Sequence, residues 1–216
     1  MTRLRLVLWR HGMTAYNAEQ RMQGSIDVGL NDLGHWQAQR SATALVNQFQ
    51  IDAIVSSDLR RACETADYLA GATGLDVVTD ARLRERHFGA WEGMTRTEIA
   101  EQYPEQFKRW WEQGHTPEGV DSEDRAAVAH RYAAAVSEHV TALGRGTLVV
   151  VSHGTATGAG TGLLLGAEPA WPALISMRNA HWAHLFRDRA DTRWLMHGYN
   201  LGPPEAATDA WEPATE

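Results

Sequence analysis

Leu4-Arg5-Leu6-Val7-Leu8-Trp9 is a short apolar run that stops at Arg10-His11-Gly12, the pattern of a first strand ending in a polar turn. Leu33, Trp36, Ala44, Leu45 and Phe49 follow at helical spacing, with Asn31 placed to cap that helix. Ile51 to Val55 predicts a second strand, and Ser57 or Asp58 the cap of a helix running from Leu59 to Leu69. A third strand is predicted over Asp76 to Thr79, after the Gly71 to Gly74 turn. The strongest is Thr147-Leu148-Val149-Val150-Val151, a β-branched run of the kind buried on both faces of a parallel sheet. Trp182 to Phe186 and Arg193 to Met196 flank Asp188-Arg189-Ala190-Asp191 and predict an edge hairpin. This repetition of strand, polar turn and capped helix predicts an α/β fold with a mainly parallel sheet.

The stretch from about Phe88 to Leu143 has no strand pattern. Thr95-Arg96-Thr97-Glu98 has the spacing of a capping box, and Phe107, Trp110 and Trp111 fall on one face of the helix that follows. It is read as a helical insertion whose aromatics form a private core, with an aromatic cap over a pocket as the alternative. Residues 1–202 are read as one domain. Pro203 to Glu216 holds three of the seven prolines and four acidic residues without a basic one, the composition of a disordered tail.

Charge narrows the function classes. The 216 residues carry 20 basic and 27 acidic side chains, a net of −7, of which the tail contributes four negative charges. Wrapping nucleic acid or binding an anionic membrane needs a surplus of cations, so neither is expected as a partner. The single Cys63 cannot form an internal disulfide, and the N-terminus shows neither a signal peptide nor a membrane span, so a cytoplasmic location is expected. Lys108 is the only lysine, which argues against Schiff-base chemistry.

Ligands of open α/β sheets collect at the carboxyl ends of the strands. Arg10-His11-Gly12, Ser57-Asp58-Leu59-Arg60-Arg61 and Ser152-His153-Gly154 all follow predicted strands, so topology brings two histidines and at least two arginines to one sheet edge. The planar Arg fork suits phosphate, helix N-termini add free N–H groups, and a neutral His can attack phosphorus. No carboxylate cluster or metal-ligand spacing accompanies them. Phosphoryl transfer would rest on a fixed positive lining, with no cofactor or metal called for.

Arg10-His11-Gly12-Met13-Thr14-Ala15-Tyr16-Asn17 resembles the opening motif of the histidine phosphatase superfamily, in its phosphoglycerate-mutase-like branch. The likeness continues through Arg21-Met22-Gln23-Gly24, Leu30 to Gly34, Ser56 to Ala66, Leu83 to Gly93 and Ser152-His153-Gly154. The resemblance implies a three-layer α/β/α architecture with the helical insertion over the active site. It also implies a phosphatase that works through a phosphohistidine on His11. Arg10, Arg61 and His153 would hold the phosphoryl oxygens, assisted by Asn17, and Glu85 would protonate the leaving alcohol and then activate water. Gln23 matches a substrate-touching position. Arg61 is chosen over Arg60 because it directly precedes Ala62, as the family's phosphate-binding arginine does.

Ala90-Trp91-Glu92-Gly93 fits the phosphatases better than the mutases, and the insertion shows no obvious Arg pair set up for a second phosphate. Arg21 to Leu33, Val55 to Arg61 and Trp171 to Leu174 with Asn179-Ala180 are similar to the actinobacterial glucosyl-3-phosphoglycerate phosphatases. The expected partner is thus a small phosphorylated metabolite, with a homodimer as the default assembly. The rivals are a 2,3-bisphosphoglycerate-dependent phosphoglycerate mutase and a non-catalytic phospho-ligand binder. Glu85 has a plainer reading as a helix-cap carboxylate, Arg60 as a solvated helix residue, and Cys63 as packing. His181 and His184, on opposite faces of a strand, do not suit a metal site.

Overall fold

The computed structural model describes residues 4–113, 117–170, 174–187 and 193–203. Strands β1 (Leu4–Arg10), β2 (Ala53–Ser56), β3 (Val77–Thr79), β4 (Gly146–Ser152), β5 (Trp182–Arg187) and β6 (Leu195–Leu201) form one sheet in the order β3-β2-β4-β1-β5-β6. β3, β2, β4 and β1 run parallel; β5 is antiparallel to β1, and β6 to β5. The helices are α1 (Ala15–Ala18), α2 (Asp32–Gln48), α3 (Arg60–Thr73), α4 (Arg96–Gln102), α5 (Pro104–Gln113), α6 (Arg125–Leu143) and α7 (Gly154–Leu164).

Strand periodicity explains the three layers. Leu4, Leu6 and Leu8 of β1 point, with Leu148 and Val150 of β4, into a core closed by α6 and α7. Val7, Trp9, Val149 and Val151 point the other way, against Ala42 and Leu45 of α2 and Ala62, Ala66 and Leu69 of α3. Both faces are dry, which is why the central strands read as unbroken apolar runs rather than as alternation.

Several boundaries differ from the sequence expectation. The residue at the N-cap of α3 is Leu59, with no side-chain cap of its own. Asp58 pairs with Arg84 at 2.6 Å, and the α3 amide at Arg60 donates instead to Asp27 at 2.7 Å, a cap supplied from 33 residues away. The last strand starts two residues later than expected and extends to Leu201, while the hairpin tip at 188–192 and the tail beyond 203 lie outside the described residues.

The stretch 88–143 divides in two. Phe88, Trp91, Ile99 and Val120, flanked by Phe107 and Trp110, form a separate small core. α6 does not belong to it: Val128, Tyr132, Val136 and Val140 are buried under the sheet as part of the main core. The insertion therefore ends near Asp124. Among the described residues no helix is long and apolar enough to cross a membrane.

Candidate active site

The sheet places a topological switch between β1 and β4. The chain leaves β1 for α2 on one face and leaves β4 for α7 on the other, so a crevice opens between their carboxyl ends. Arg10 lies in register with Ser152, and the His11 amide extends the ladder by donating to the Ser152 carbonyl at 3.0 Å. The next residues, His11 and His153, thereby meet with ring centroids 5.1 Å apart.

Close backbone approach fixes the His11 turn. A Cβ on Gly12 would sit 2.4 Å from the Gly34 carbonyl oxygen, and one on Gly34 2.0 Å from the Met13 carbonyl oxygen, so any side chain at either position would push α2 away. The Gly12 amide donates to Thr65 Oγ1 at 3.1 Å. Asn179 completes the frame by donating to the His11 and Gly12 carbonyls at 3.1 and 3.2 Å, and to Asn17 Oδ1 at 3.0 Å.

Hydrogen bonding assigns both imidazole tautomers. His11 Nδ1 is 2.7 Å from the Gly12 carbonyl, which only accepts, so Nδ1 carries the proton and Nε2 keeps its lone pair. His153 Nδ1 accepts from Arg61 Nε at 3.2 Å, leaving its Nε2–H to donate to Ser57 Oγ at 2.8 Å. Burial, followed by the charges of Arg61 and Arg10, holds His11 well below the usual histidine range; burial and Arg61 do the same for His153.

That depression has a sign. Below the ordinary histidine value of 6.5 the unfolded chain takes up protons that the folded chain refuses, so stability present above that value is lost as pH falls through it. Each histidine makes the folding constant drop by up to about tenfold per pH unit there. Urea denaturation at pH 7.5, 6.5 and 5.5 should show a falling midpoint, whereas a flat profile would contradict neutral buried histidines.

Arg61 is fully buried at the start of α3. Its guanidinium also donates to the Ile26 and Gly24 carbonyls at 2.7 and 2.9 Å, so three of its five N–H groups are engaged. Desolvation lowers its pKa to about 10. Arg60 faces solvent in an i, i+4 pair with Glu64. Arg10 donates to the Met177 carbonyl. Thr14 Oγ1 lies 3.1 Å from Asn17 Oδ1 and 3.0 Å from Gln23 Oε1, so its single hydroxyl proton serves one of the two oxygens at a time, and both residues line the cavity.

Glu85 sits on a loop between two short 3₁₀ turns, Ala81–Leu83 and Gly89–Trp91. Its Oε1 accepts from the Arg86 and Ala156 amides at 2.8 and 2.9 Å, and its Oε2 from Thr155 at 3.0 Å, so it caps α7, whose N-cap residue His153 offers no side-chain cap. Three of about four lone-pair directions are taken, and the open one is on Oε2. The loop is held by Arg131 of α6, which donates to the carbonyls of Arg82, Arg84 and Glu85 at 2.7, 2.7 and 3.0 Å and forks onto Glu123 at 2.7 and 2.8 Å. All five of its N–H groups are satisfied.

A cavity of about 540 Å³ collects these groups: Arg10, His11, Asn17, Gln23, Arg61 and Glu85 all line it. His153 is wholly buried behind the wall and reaches it through Arg61. The insertion contributes Phe88, Arg96 and Trp110, so Trp110 belongs both to the private core and to the cavity wall. Sequence reasoning noted Asn179 only as a point of family likeness, without a role, and missed Arg131 and Glu123, which frame the site with it, and Ser57 as partner of His153. No local motif marks Arg131 or Glu123, because each acts across elements far apart in the chain. Cys63 is half-buried, its thiol donating to the Ser57 carbonyl at 3.3 Å. His181 lies just before β5, its Nδ1 on the Asn179 carbonyl at 2.9 Å, and His184 packs edge-on against Phe49.

Comparisons with known proteins place the chain in a family. A sequence profile of the histidine phosphatase superfamily (branch 1) matches residues 6–201. A glucosyl-3-phosphoglycerate phosphatase of Mycolicibacterium vanbaalenii is 40% identical over 214 residues, covering 91% of this chain and 94% of that protein. A probable phosphoglycerate mutase of Yersinia enterocolitica is 35% identical over 199 residues, covering 91% and 90%. The structure of a mycobacterial glucosyl-3-phosphoglycerate phosphatase in complex with VO3 superposes with a TM-score of 0.84 at 39% identity, over 92% of this chain and 99% of that one. A nucleophile-ready imidazole, a buried guanidinium and a capped carboxylate around one cavity are thus found in a chain that belongs to the histidine phosphatase superfamily.

Proposed function

We propose that this phosphoric monoester hydrolase removes phosphate from a small phosphorylated metabolite in two steps, through a phosphohistidine on Nε2 of His11. The observation that carries the reading is the fixed tautomer of His11, whose Nδ1 bond to Gly12 leaves Nε2 unprotonated inside an arginine-lined cavity. In the first step Nε2 attacks phosphorus, the ester P–O bond breaks, and the leaving alcohol takes a proton from Glu85. In the second, Glu85 accepts a proton from water, the water oxygen attacks phosphorus, the P–N bond breaks and phosphate departs. Arg10 and Arg61 hold the phosphoryl oxygens as fixed cations, and Asn17 and Gln23 supply amide donors. His153, behind the wall, takes part by orienting the Arg61 guanidinium through its Nδ1. No metal is needed in this scheme.

Glucosyl-3-phosphoglycerate is the first substrate to test, because relatives about 40% identical over nine-tenths of the chain carry that name. In a phosphate-release screen of sugar and glycerate phosphates, its kcat/KM should lead by at least about tenfold. A lead by a phosphate without a glycerate half would reject this substrate assignment. Isomerisation of 3-phosphoglycerate outrunning hydrolysis in the presence of 2,3-bisphosphoglycerate would favour the mutase reading instead. A cytoplasmic location accords with the single cysteine, and a homodimer with the prevalence of two-fold assemblies.

A further inference from the structure

We propose that the cavity holds a second oxyanion subsite, centred on Arg125 with Arg178, that grips a carboxylate on the leaving-group half of the substrate. The inference rests on the hydrolase reading above and deepens it. Seven arginines line the cavity against one carboxylate, Glu85, within a chain whose net charge is −7. A single phosphoryl group accounts for Arg10 and Arg61. Arg21 is already paired with Glu19 and Glu98 at 3.0 and 2.9 Å, and Arg86 donates to the Glu123 carbonyl at 2.8 Å. Arg96, Arg125 and Arg178 remain, each without a carboxylate in ion-pair range among the described residues.

Arg125 is the most exacting of the three. Its Nε is buried and has no hydrogen-bond partner among the described residues, an arrangement that costs free energy. Burial lowers its pKa, while the charge of Glu85 raises it, so Arg125 stands within electrostatic reach of the leaving-group acid. As the first residue of the 19-residue α6 it also lies at the positive end of a helix. Arg178 lines the same cavity from the loop that carries Asn179, and the backbone there is pinned by the hydrogen bond that the Arg178 N–H donates to Asn200 Oδ1 at 2.8 Å. Arg96 lies at the rim, its guanidinium 5.0 Å from the Trp111 ring centroid. Arg96 and Arg125 are 29 positions apart in sequence, and the fold brings both to the wall of this cavity.

The test compares kcat/KM for 3-phosphoglycerate and its methyl ester, which differ by one negative charge. The wild type should prefer the acid by about 10–100-fold, the range for charge-assisted hydrogen bonds in a partly dry site. In Arg125→Gln that ratio should fall to within about threefold, mainly through KM, and Arg178→Gln should lower it part of the way. Because the Arg125 side chain makes no hydrogen bond among the described residues, the Gln variant should fold, and the ratio reads charge recognition rather than general damage. A wild-type ratio near one, or a ratio unchanged in Arg125→Gln, overturns the subsite. Cleavage of p-nitrophenyl phosphate with neither member of the pair cleaved also overturns the subsite alone. Cleavage of none of the three overturns the hydrolase reading as well.

Discussion

His11→Ala is expected to lower kcat/KM by about 10⁴–10⁶-fold, the scale on which deleting a covalent nucleophile acts. The loss should be nearly complete because no neighbouring group can substitute. His153 lies only 5.1 Å away, but its Nδ1 accepts from Arg61 and its Nε2 carries a proton toward Ser57, so neither lone pair is directed at phosphorus. Rapid alkaline quench of the wild type with radiolabelled substrate should trap a phosphoenzyme that acid releases; the alanine variant should trap none. Full turnover in the variant, or an acid-labile phosphoenzyme formed without His11, would remove the nucleophile assignment. Because the imidazole is buried, the variant also leaves a small cavity, so its folding should be checked by circular dichroism before the kinetics are read.

Glu85→Gln distinguishes a leaving-group acid from a mere helix cap. A cap that loses one acceptor costs about 1 kcal/mol of stability and slows all substrates alike. An acid that loses its proton costs about 10²–10⁴-fold, and the cost depends on how much the leaving oxygen needs protonation. Alkyl phosphates should therefore fall by at least about 10²-fold while p-nitrophenyl phosphate falls far less in its phosphorylation step. Since Glu85 also activates water in the second step, p-nitrophenyl phosphate should then give a burst of nitrophenol followed by slow turnover, with phosphoenzyme accumulating. Equal losses for both substrate types and no burst would leave Glu85 as a structural carboxylate. The three backbone amides on its two oxygens show how one side chain can serve both purposes, because the lone pair open on Oε2 is left for chemistry.

The sequence reveals the parts of the site that hang directly from strands. β1 and β4 announce themselves by continuous apolar runs, and His11 and His153 follow one residue past their ends, so strand pairing alone brings the two rings together. Arg61 is legible for a similar reason, one residue into the helix after β2. Glu85 is different: it lies on a loop without periodicity, and only the family resemblance singled it out. The cap of α3 by Asp27, the frame bonds of Asn179 and the shared lining of one cavity by Arg96, Arg125 and Arg178 all join segments far apart in the chain, which no local pattern encodes. The assignment of α6 to the insertion failed because a helix buried against a sheet and one buried against an insertion have the same 3.6-residue period.

The five-donor grip of Arg131 separates two kinds of evolutionary freedom. Glu85 hangs on a guanidinium rooted in the main core, and the segment running from Phe88 to Asp124 begins only after that anchor. Within that segment only Glu123, the carboxylate that Arg131 forks onto, belongs to the anchor itself. Glu92 also ties the segment to the loop that carries Gln23 and Gly24, by accepting from the Ser25 amide at 2.8 Å, whereas a position such as Trp110 lines the cavity without touching the Arg131 anchor. At such lining positions the fit to a leaving group can change while the acid stays where Arg131 holds it, so that a change of diet does not require a change of chemistry.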